Sequence, residues 1–446
     1  MAPPQPSLPD RLGIPKALVP GYLGVLLFMV GDGVESGFIA PYMAGHGAGT
    51  EVHASYVITA YGVAVMLASW LSGALSDLWG PRRVMQLGLA VWVVFDVLFL
   101  VFALGPQNYP LMLVFYGLRG FGYPLFAFGF LVWITATAPA ARMGTAVGWF
   151  YVAFTGGLPT LGSIVAGVTN PWFGQFGTLW VALGIIVLGG ACCLLGVRER
   201  TGYARPAPPE VRPVQSLVSS LSIAWTHPKV AVGCVVRIIN TAPEFGFLVF
   251  LPAFFGDELG FGQGRWLTLL AVIYGTNVLC NLLFGAIGDR IGWRRTIASF
   301  GGIGCAVTTL TLYFVPKAVG GHYGVALVVG MLYGVTLAGF VPISALVPAL
   351  APDHKGGAMA LLNLGAGGAA FVGPAIVSVF LGPLGPAGVV LVFAALYVLS
   401  AVLTLYLKLP EPAAGPGGDG GGAAPAVAAP PGPRYAEAGP GRTRLP

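Results

Sequence analysis

Residues 73–83 read GALSDLWGPRR, and residues 285–295, 212 positions later, read GAIGDRIGWRR. The two agree at six of eleven positions. In each, an apolar run ends at an Asp, a Gly makes the turn, and two Arg follow before the next apolar run. A second echo, APAAR over 138–142 and APDHK over 351–355, recurs at an offset of 213. Two matches at nearly one offset mark an internal repeat, so the chain divides into two related halves.

Only 9% of the 446 residues are charged and 56% are hydrophobic, whereas an ordinary soluble domain carries about 25% charged residues. So little charge cannot cover a soluble globule of this size, and the bilayer is the natural solvent. Crossing roughly 30 Å of hydrocarbon takes about 20 apolar residues. Apolar runs fall near 18–44, 54–77, 84–104, 109–136, 143–168 and 177–196, then near 229–256, 266–288, 296–315, 322–349, 357–381 and 386–408. The reading is an all-α integral membrane protein with twelve transmembrane helices in two six-helix bundles related by pseudo-two-fold symmetry. Its parts are a cytoplasmic N-terminal segment (1–17), an N-terminal bundle (18–196), a cytoplasmic linker (197–228), a C-terminal bundle (229–410) and a disordered cytoplasmic tail rich in Gly, Ala and Pro (411–446).

With the N-terminus placed in the cytoplasm, 18 of the 22 Lys and Arg lie on the inner side; Arg265 and Lys317 lie outside, and Arg119 and Arg237 lie within spans. This positive-inside asymmetry predicts that both ends are cytoplasmic. The net charge of +6 follows the loops, so it does not indicate nucleic acid. The five Cys, at 192, 193, 234, 280 and 305, sit in apolar runs without metal-ligand spacing, which predicts packing roles, no disulfide framework and no metal. The polar, Pro-rich start MAPPQPSLPD leads into an apolar run too long for a cleavable signal. There is no GxxxxGK[ST] phosphate loop and no nucleophilic triad, so no enzyme activity and no cofactor are expected. The expected setting is a bacterial plasma membrane and a functional monomer.

Asp32 and Glu35 in the first run share one helix face and lie near mid-membrane, and Arg119 in the fourth run reaches similar depth. A charge there costs at least about 2.5 kcal/mol, so isolated placement towards lipid is disfavoured. An acid–base pair between Asp32 or Glu35 and Arg119 would change its proton affinity when helices separate. The alternative is a permanent salt bridge that only holds two helices together. Glu244 is Asp32 plus 212, at the same depth in the second half, and Arg237 is its partner or snorkels. Asn240, Asn277, Asn281 and Asn363 add amides, and Tyr61, Trp70, Tyr123, Trp149 and Tyr151 add flat walls with polar edges. Such a lining suits a neutral polyhydroxylated solute, although a single Asn is as well explained by an interhelical hydrogen bond. Asp96 in the third run has no evident partner.

In the two repeated loops, Gly73, Asp77, Gly80, Arg82 and Arg83 correspond to Gly285, Asp289, Gly292, Arg294 and Arg295. The first Gly of each is expected at a helix contact, and the Asp is expected to latch the cytoplasmic face by binding a helix N-terminus or an Arg. A plain topology signal is the simpler alternative; the matching spacing in two copies favours the latch. This Gly-x-x-x-Asp-x-x-Gly-x-Arg-Arg form resembles the signature loop of the major facilitator superfamily, over essentially the whole chain to about residue 410. More narrowly, FMVGDGVESGFIAPYM, LRGFGYPLFAFGFLVW, GTAVGWFYVAFTGG, RIINTAPEFGFLVFLP, VPISALVPAL and KGGAMALLNLGAG are similar to bacterial sugar-alcohol transporters for ribitol and arabitol. The resemblance implies alternating access and import of a polyol or related sugar by proton symport. Uptake of an organic anion or dicarboxylate with Arg119 and Arg237 as counter-charges, export by proton antiport, and a non-transporting sensor remain as alternatives. The helix-5 sequence TGGLPTLG only partly matches the glycine pattern of exporters.

Overall fold

The computed structural model describes residues 14, 16–138, 143–199, 201–204, 222–352 and 355–409, which are helical with no strand among them. The N-terminal residues 1–13, most of the linker, the tail and Arg142 lie outside the described residues, as does the side chain of Lys355. Among the described residues, nine continuous helices are long and apolar enough to cross a membrane, and one more span is a pair bent by 47°, Gly262–Asn281 with Leu283–Ile291. Two of the nine, Thr145–Gly196 and Gly357–Tyr406, have 52 and 50 residues, more than twice what roughly 30 Å of hydrocarbon requires.

Each long helix is two spans folded back at a glycine. Gly174 has φ 68° and ψ 173°, and Gly385 has φ 66° and ψ −178°, a backbone that only glycine adopts readily. Across the first turn the Thr178 hydroxyl donates to Thr169 Oγ1 at 3.2 Å, although nine residues along a straight helix would separate them by about 13 Å. Across the second, Phe393 and the Gly373 carbonyl both pack on Gly246. Twelve spans result: α1 (Lys16–Val34, resuming at Ile39–Met43), α2 (Glu51–Trp79), α3 (Pro81–Leu104), α4 (Tyr109–Thr137), α5 (143–173), α6 (175–196), α7 (Pro228–Glu258), α8 (Gly262–Ile291), α9 (Trp293–Ala318), α10 (Tyr323–Ala349), α11 (355–384) and α12 (386–406).

The repeat is visible in the backbone. Gly174 and Gly385 are 211 residues apart. Gly80 (φ 85°) and Gly292 (φ 96°), which turn α2 into α3 and α8 into α9, are 212 apart. Each half has its own aromatic core: Phe28 stacks on Phe126 at 4.4 Å in the first, and Phe247 meets Phe393 at 5.4 Å and Tyr333 at 5.6 Å in the second. Large apolar side chains such as Leu188, Leu279 and Val379 face outward, as a bilayer-facing surface requires.

Besides the bent α8, three expected spans are interrupted. α1 breaks over 35–38, α4 breaks at 120–121, and α10 tightens at Ala338–Phe340 before Ile343–Ala349. Gly120 faces the Tyr61 carbonyl too closely for any side chain. Freed backbone groups at such breaks are tolerated in a membrane only inside a protein or along a cavity.

The halves meet through α2 against α11 and α8 against α5. Gly62 lies against the Ala370 carbonyl, and Gly367 against Ser69. The Ser55 and Ser378 hydroxyls are 2.6 Å apart, Thr59 lies 3.3 Å from Ser378, and the Trp266 indole donates to the Gly37 carbonyl at 2.6 Å. These hydrogen bonds cluster at the end of the bundle opposite the two Arg-Arg loops.

Candidate functional site

Glu35 and Arg119 both sit at helix breaks. Glu35 ends the first part of α1, and its carbonyl accepts from the Phe38 and Ile39 N–H groups at 3.0 and 2.9 Å as the chain turns. Arg119 is the last residue before the break in α4. Its guanidinium, fully buried, forks onto Glu35: Nη1 donates to Oε2 at 3.0 Å and Nη2 donates to Oε1. Nη1 also reaches Asp96 Oδ1 on α3 at 2.5 Å. Asp96, without an evident partner in the sequence, therefore has one. Tyr116 donates to Glu35 Oε1 at 2.8 Å, and the rings of Tyr116 and Trp92 lie 4.2 and 4.7 Å from the guanidinium carbon. The Nε–H of Arg119 has no acceptor among the described residues. A buried ion cluster persists only when its geometry and further hydrogen bonds offset the desolvation of its members, and bidentate pairing with an aromatic collar supplies both.

The sequence left open whether Asp32 or Glu35 pairs with Arg119; the structure gives the pair to Glu35. Asp32, one turn earlier and 6% exposed, instead accepts from two neutral donors. The Trp92 indole N–H reaches its Oδ1 at 2.9 Å and the Tyr61 hydroxyl at 3.4 Å. No hydrogen bond from the described residues falls on its other oxygen. Three carboxylates and one guanidinium thus share one site, and one of the carboxylates has no ion-pair partner among the described residues.

Across the bundle, α7 presents Arg237, Asn240 and Glu244. Pro243 removes an N–H just before Glu244 and leaves the helix open to a bend. Of the two alternatives for Arg237, pairing with Glu244 or snorkelling, the ion pair is not made: Arg237 donates to Asn240 Oδ1 at 3.0 Å, and the half-buried Glu244 carboxylate has no hydrogen-bond partner among the described residues. Arg237 still lies within electrostatic reach of Glu244 and of Tyr151 on α5. Asn277 on α8 donates to the Gly334 carbonyl at 3.4 Å, an interhelical bond, whereas Asn281 and Asn363 are half-buried with no hydrogen bond to their amides among the described residues. Tyr123 lines the first half beside Tyr61 and Phe154 at 6.4 and 6.1 Å, and Trp149 on α5 is more exposed.

The repeated loops differ in their contacts. A methyl group at Gly73 or Gly285 would meet nothing within 4 Å, so neither is the helix contact expected; Gly288, packed on Pro342, makes that approach. Asp77 has no hydrogen bond or ion pair among the described residues, and Asp289 accepts from the Trp293 indole at 2.8 Å. Arg82 donates to the Leu194 carbonyl and lies 4.9 and 5.8 Å from the rings of Tyr203 and Trp133, while Arg83 reaches the Trp79 carbonyl at 3.5 Å. The start of the linker, held by a 3.1 Å bond from the Trp133 indole to Thr201, therefore docks on the first loop. At the second loop, Arg294 and Arg295 border an open cavity with Leu346, Leu407 and Leu409.

Trp92, Tyr116, Ser55, Ser378 and Trp266 were not singled out in the sequence. Trp92 carried a signal, because it stands one helical turn from Asp96, but an indole in an apolar run reads first as core.

Twelve spans in two repeated halves, with charged and amide groups at a midplane lined by broken helices, define a secondary transporter. The chain belongs to the major facilitator superfamily, whose model matches residues 21–277 and 234–435. It is 43% identical over 403 residues to the "Alpha-ketoglutarate permease" of Bacillus subtilis (strain 168), spanning 90% of this chain and 92% of that one. It is 38% identical over 402 residues to the "D-arabinitol transporter" and 37% identical over 401 residues to the "Ribitol transporter" of Klebsiella pneumoniae, each alignment covering 90% of this chain and 94% of the other. Among solved structures it shares its fold with a D-xylose-proton symporter, with a TM-score of 0.66 at 16% identity over 88% of this chain and 97% of that one. The protein is a transporter of small molecules and not an enzyme.

Proposed function

We propose that this protein imports a polyol of the ribitol or arabitol kind, or a related sugar, by proton symport across a bacterial plasma membrane, working as a monomer with no cofactor. The observation that carries the reading is the surplus of acid inside the membrane: among the described residues, Asp32, Glu35, Asp96 and Glu244 stand against two basic groups, Arg119 and Arg237, and Asp32 makes no ion pair. Such a site holds protons and disfavours a dianion. The half-buried amides of Asn281 and Asn363, together with Asn240, Tyr123 and Trp149, would offer paired donors and aromatic faces to hydroxyls and C–H edges. Relatives named for D-arabinitol and ribitol support the same class.

The closed end of the bundle is the one opposite the Arg-Arg loops. With those loops in the cytoplasm, as the positive-inside asymmetry requires, this state opens inward. Asp77 and Asp289 then latch the cytoplasmic face in the opposite, outward-open state. The two halves rock about the α2–α11 and α5–α8 contacts.

A second reading, uptake of a dicarboxylate, is favoured by one observation: Arg237 keeps guanidinium N–H groups free, and one relative is named for α-ketoglutarate. Arg119 cannot serve there, because Glu35 and Asp96 already take it. The experiment is uptake into proteoliposomes under an inward proton gradient, with labelled ribitol, arabitol, xylitol, mannitol and α-ketoglutarate, with and without uncoupler. Uncoupler-sensitive accumulation of a polyol supports the first reading; accumulation of α-ketoglutarate alone overturns it in favour of the second.

A further inference from the structure

Two parts of the N-terminal half carry its charge within the spans: the ion cluster Glu35–Arg119–Asp96, and Asp32 one helical turn from Glu35. Trp92 touches both. Its indole N–H donates to Asp32 Oδ1 at 2.9 Å, while its ring lies 4.7 Å from the guanidinium carbon of Arg119. Tyr61 repeats the arrangement more loosely, at 3.4 and 5.6 Å. The indole is 1% exposed and wedged in place. Phe28 meets it edge-on at 6.0 Å, and on the other side Gly122 of α4 approaches so closely that a methyl group there would strike its Cβ.

We propose that Trp92 is a positioning residue for the proton-carrying carboxyl, holding Asp32 with a neutral donor and keeping it out of the Glu35–Arg119–Asp96 ion cluster. The proposal deepens the proton-symport reading and rests on it. A carboxylate locked against a guanidinium gives up its proton readily and takes it back poorly, whereas one held by neutral N–H and O–H dipoles can cycle. Both neutral donors fall on Oδ1, so Oδ2 is the atom that takes the proton. The groups that face Asp32 come from four helices. They are Glu35 on α1, Tyr61 on α2, Trp92 and Asp96 on α3, and Tyr116, Arg119 and Tyr123 on α4. The neighbours of this stretch of α1 from α5 and α6, Leu158 and Ile186, are apolar. Among these groups Trp92 stands closest to Asp32 without being titratable itself, so it can hold the carboxyl without competing for its proton.

The test is Trp92→Phe, which keeps a ring over Arg119 and removes the N–H. Two readouts are taken on the full chain: the pH profile of proton-driven ribitol and arabitol uptake in proteoliposomes, and the infrared titration of the protonated-carboxyl band that Asp32→Asn removes. Loss of a hydrogen bond to the ionised carboxylate moves both profiles to higher pH, by about 1 pH unit. Tyr61→Phe, with its longer bond, moves them the same way by less. It also serves as the test variant if Trp92→Phe does not yield monodisperse protein. Superposable infrared titrations for wild type and variant overturn the proposal. If wild-type uptake ignores the uncoupler, the symport reading fails, and the infrared titration still decides what Trp92 does for Asp32.

Discussion

Glu35 and Arg119 lie 84 residues apart and meet at the points where their two helices break, with both guanidinium Nη groups of Arg119 on the carboxylate of Glu35. Each residue stands where its helix ends at a break, and the two side chains share a buried site with Asp96 of α3. The pair is therefore a property of two backbones and not only of two charges.

Arg119→Leu leaves Glu35 and Asp96 buried without their counter-charge. Removing one partner of such a cluster costs about 3–5 kcal/mol, so the midpoint of thermal unfolding in detergent should fall steeply. Arg119→Lys keeps the charge but cannot fork onto Glu35 and reach Asp96 at once, and it should recover only part of the loss. An unchanged midpoint in Arg119→Leu would show that the cluster does not hold α1, α3 and α4 together.

Asp32→Asn keeps a side chain of the same shape but cannot carry a proton. Accumulation of substrate under an inward proton gradient should be lost, while exchange of labelled for unlabelled substrate at equal concentrations remains measurable. Accumulation that persists in Asp32→Asn assigns proton coupling elsewhere, with Glu244 the next carboxylate to test.

Ser55 and Ser378 place their hydroxyls 2.6 Å apart across the two halves. The double variant Ser55→Cys, Ser378→Cys should form a disulfide under mild oxidation, because the side chains already point at each other. Uptake should stop on oxidation and return on reduction, since the cross-link holds one end of the bundle shut. Uptake that continues at full rate in the fully cross-linked protein would mean that this contact does not open during transport.

Gly33 is packed so tightly that a methyl group would collide with the Leu158 carbonyl of α5, whereas at Gly184 on α6 nothing lies within 4 Å. Overpacking of a close contact costs about 1–3 kcal/mol. Gly33→Ala should lower the thermal midpoint markedly and Gly184→Ala should leave it near wild type, both read by the same detergent melt. Equal midpoints would show that α1 and α5 separate without cost.

The intramembrane charges show where the sequence stopped. Asp32, Glu35 and Arg119 could be placed at one depth because helical rise and apolar length are local quantities. Depth does not choose a partner: three acids compete for Arg119, and nothing in the spacing of 32, 35 and 96 says which two win. Asp96 carried no visible partner because that partner comes from another helix. The glycines behave alike. Gly174 and Gly385 fall in the breaks between the expected apolar runs, but only the backbone shows that they make the turns; Gly73 and Gly285, expected at helix contacts, face open space while Gly33, Gly62 and Gly367 carry the close approaches.

The sequence by itself determined the membrane setting, the twelve spans and the two-fold repeat. Each follows from a property summed along the chain: hydrophobic length against bilayer thickness, and recurrence at one offset. Only the tertiary structure decided that Glu35 and Asp96 take Arg119, that Trp92 and Tyr61 take Asp32, and that Ser55 meets Ser378 across the halves. Those choices depend on where α1 and α4 break and how α3 packs behind them, and distances of 2.5 to 3.5 Å between helices are set by packing in three dimensions.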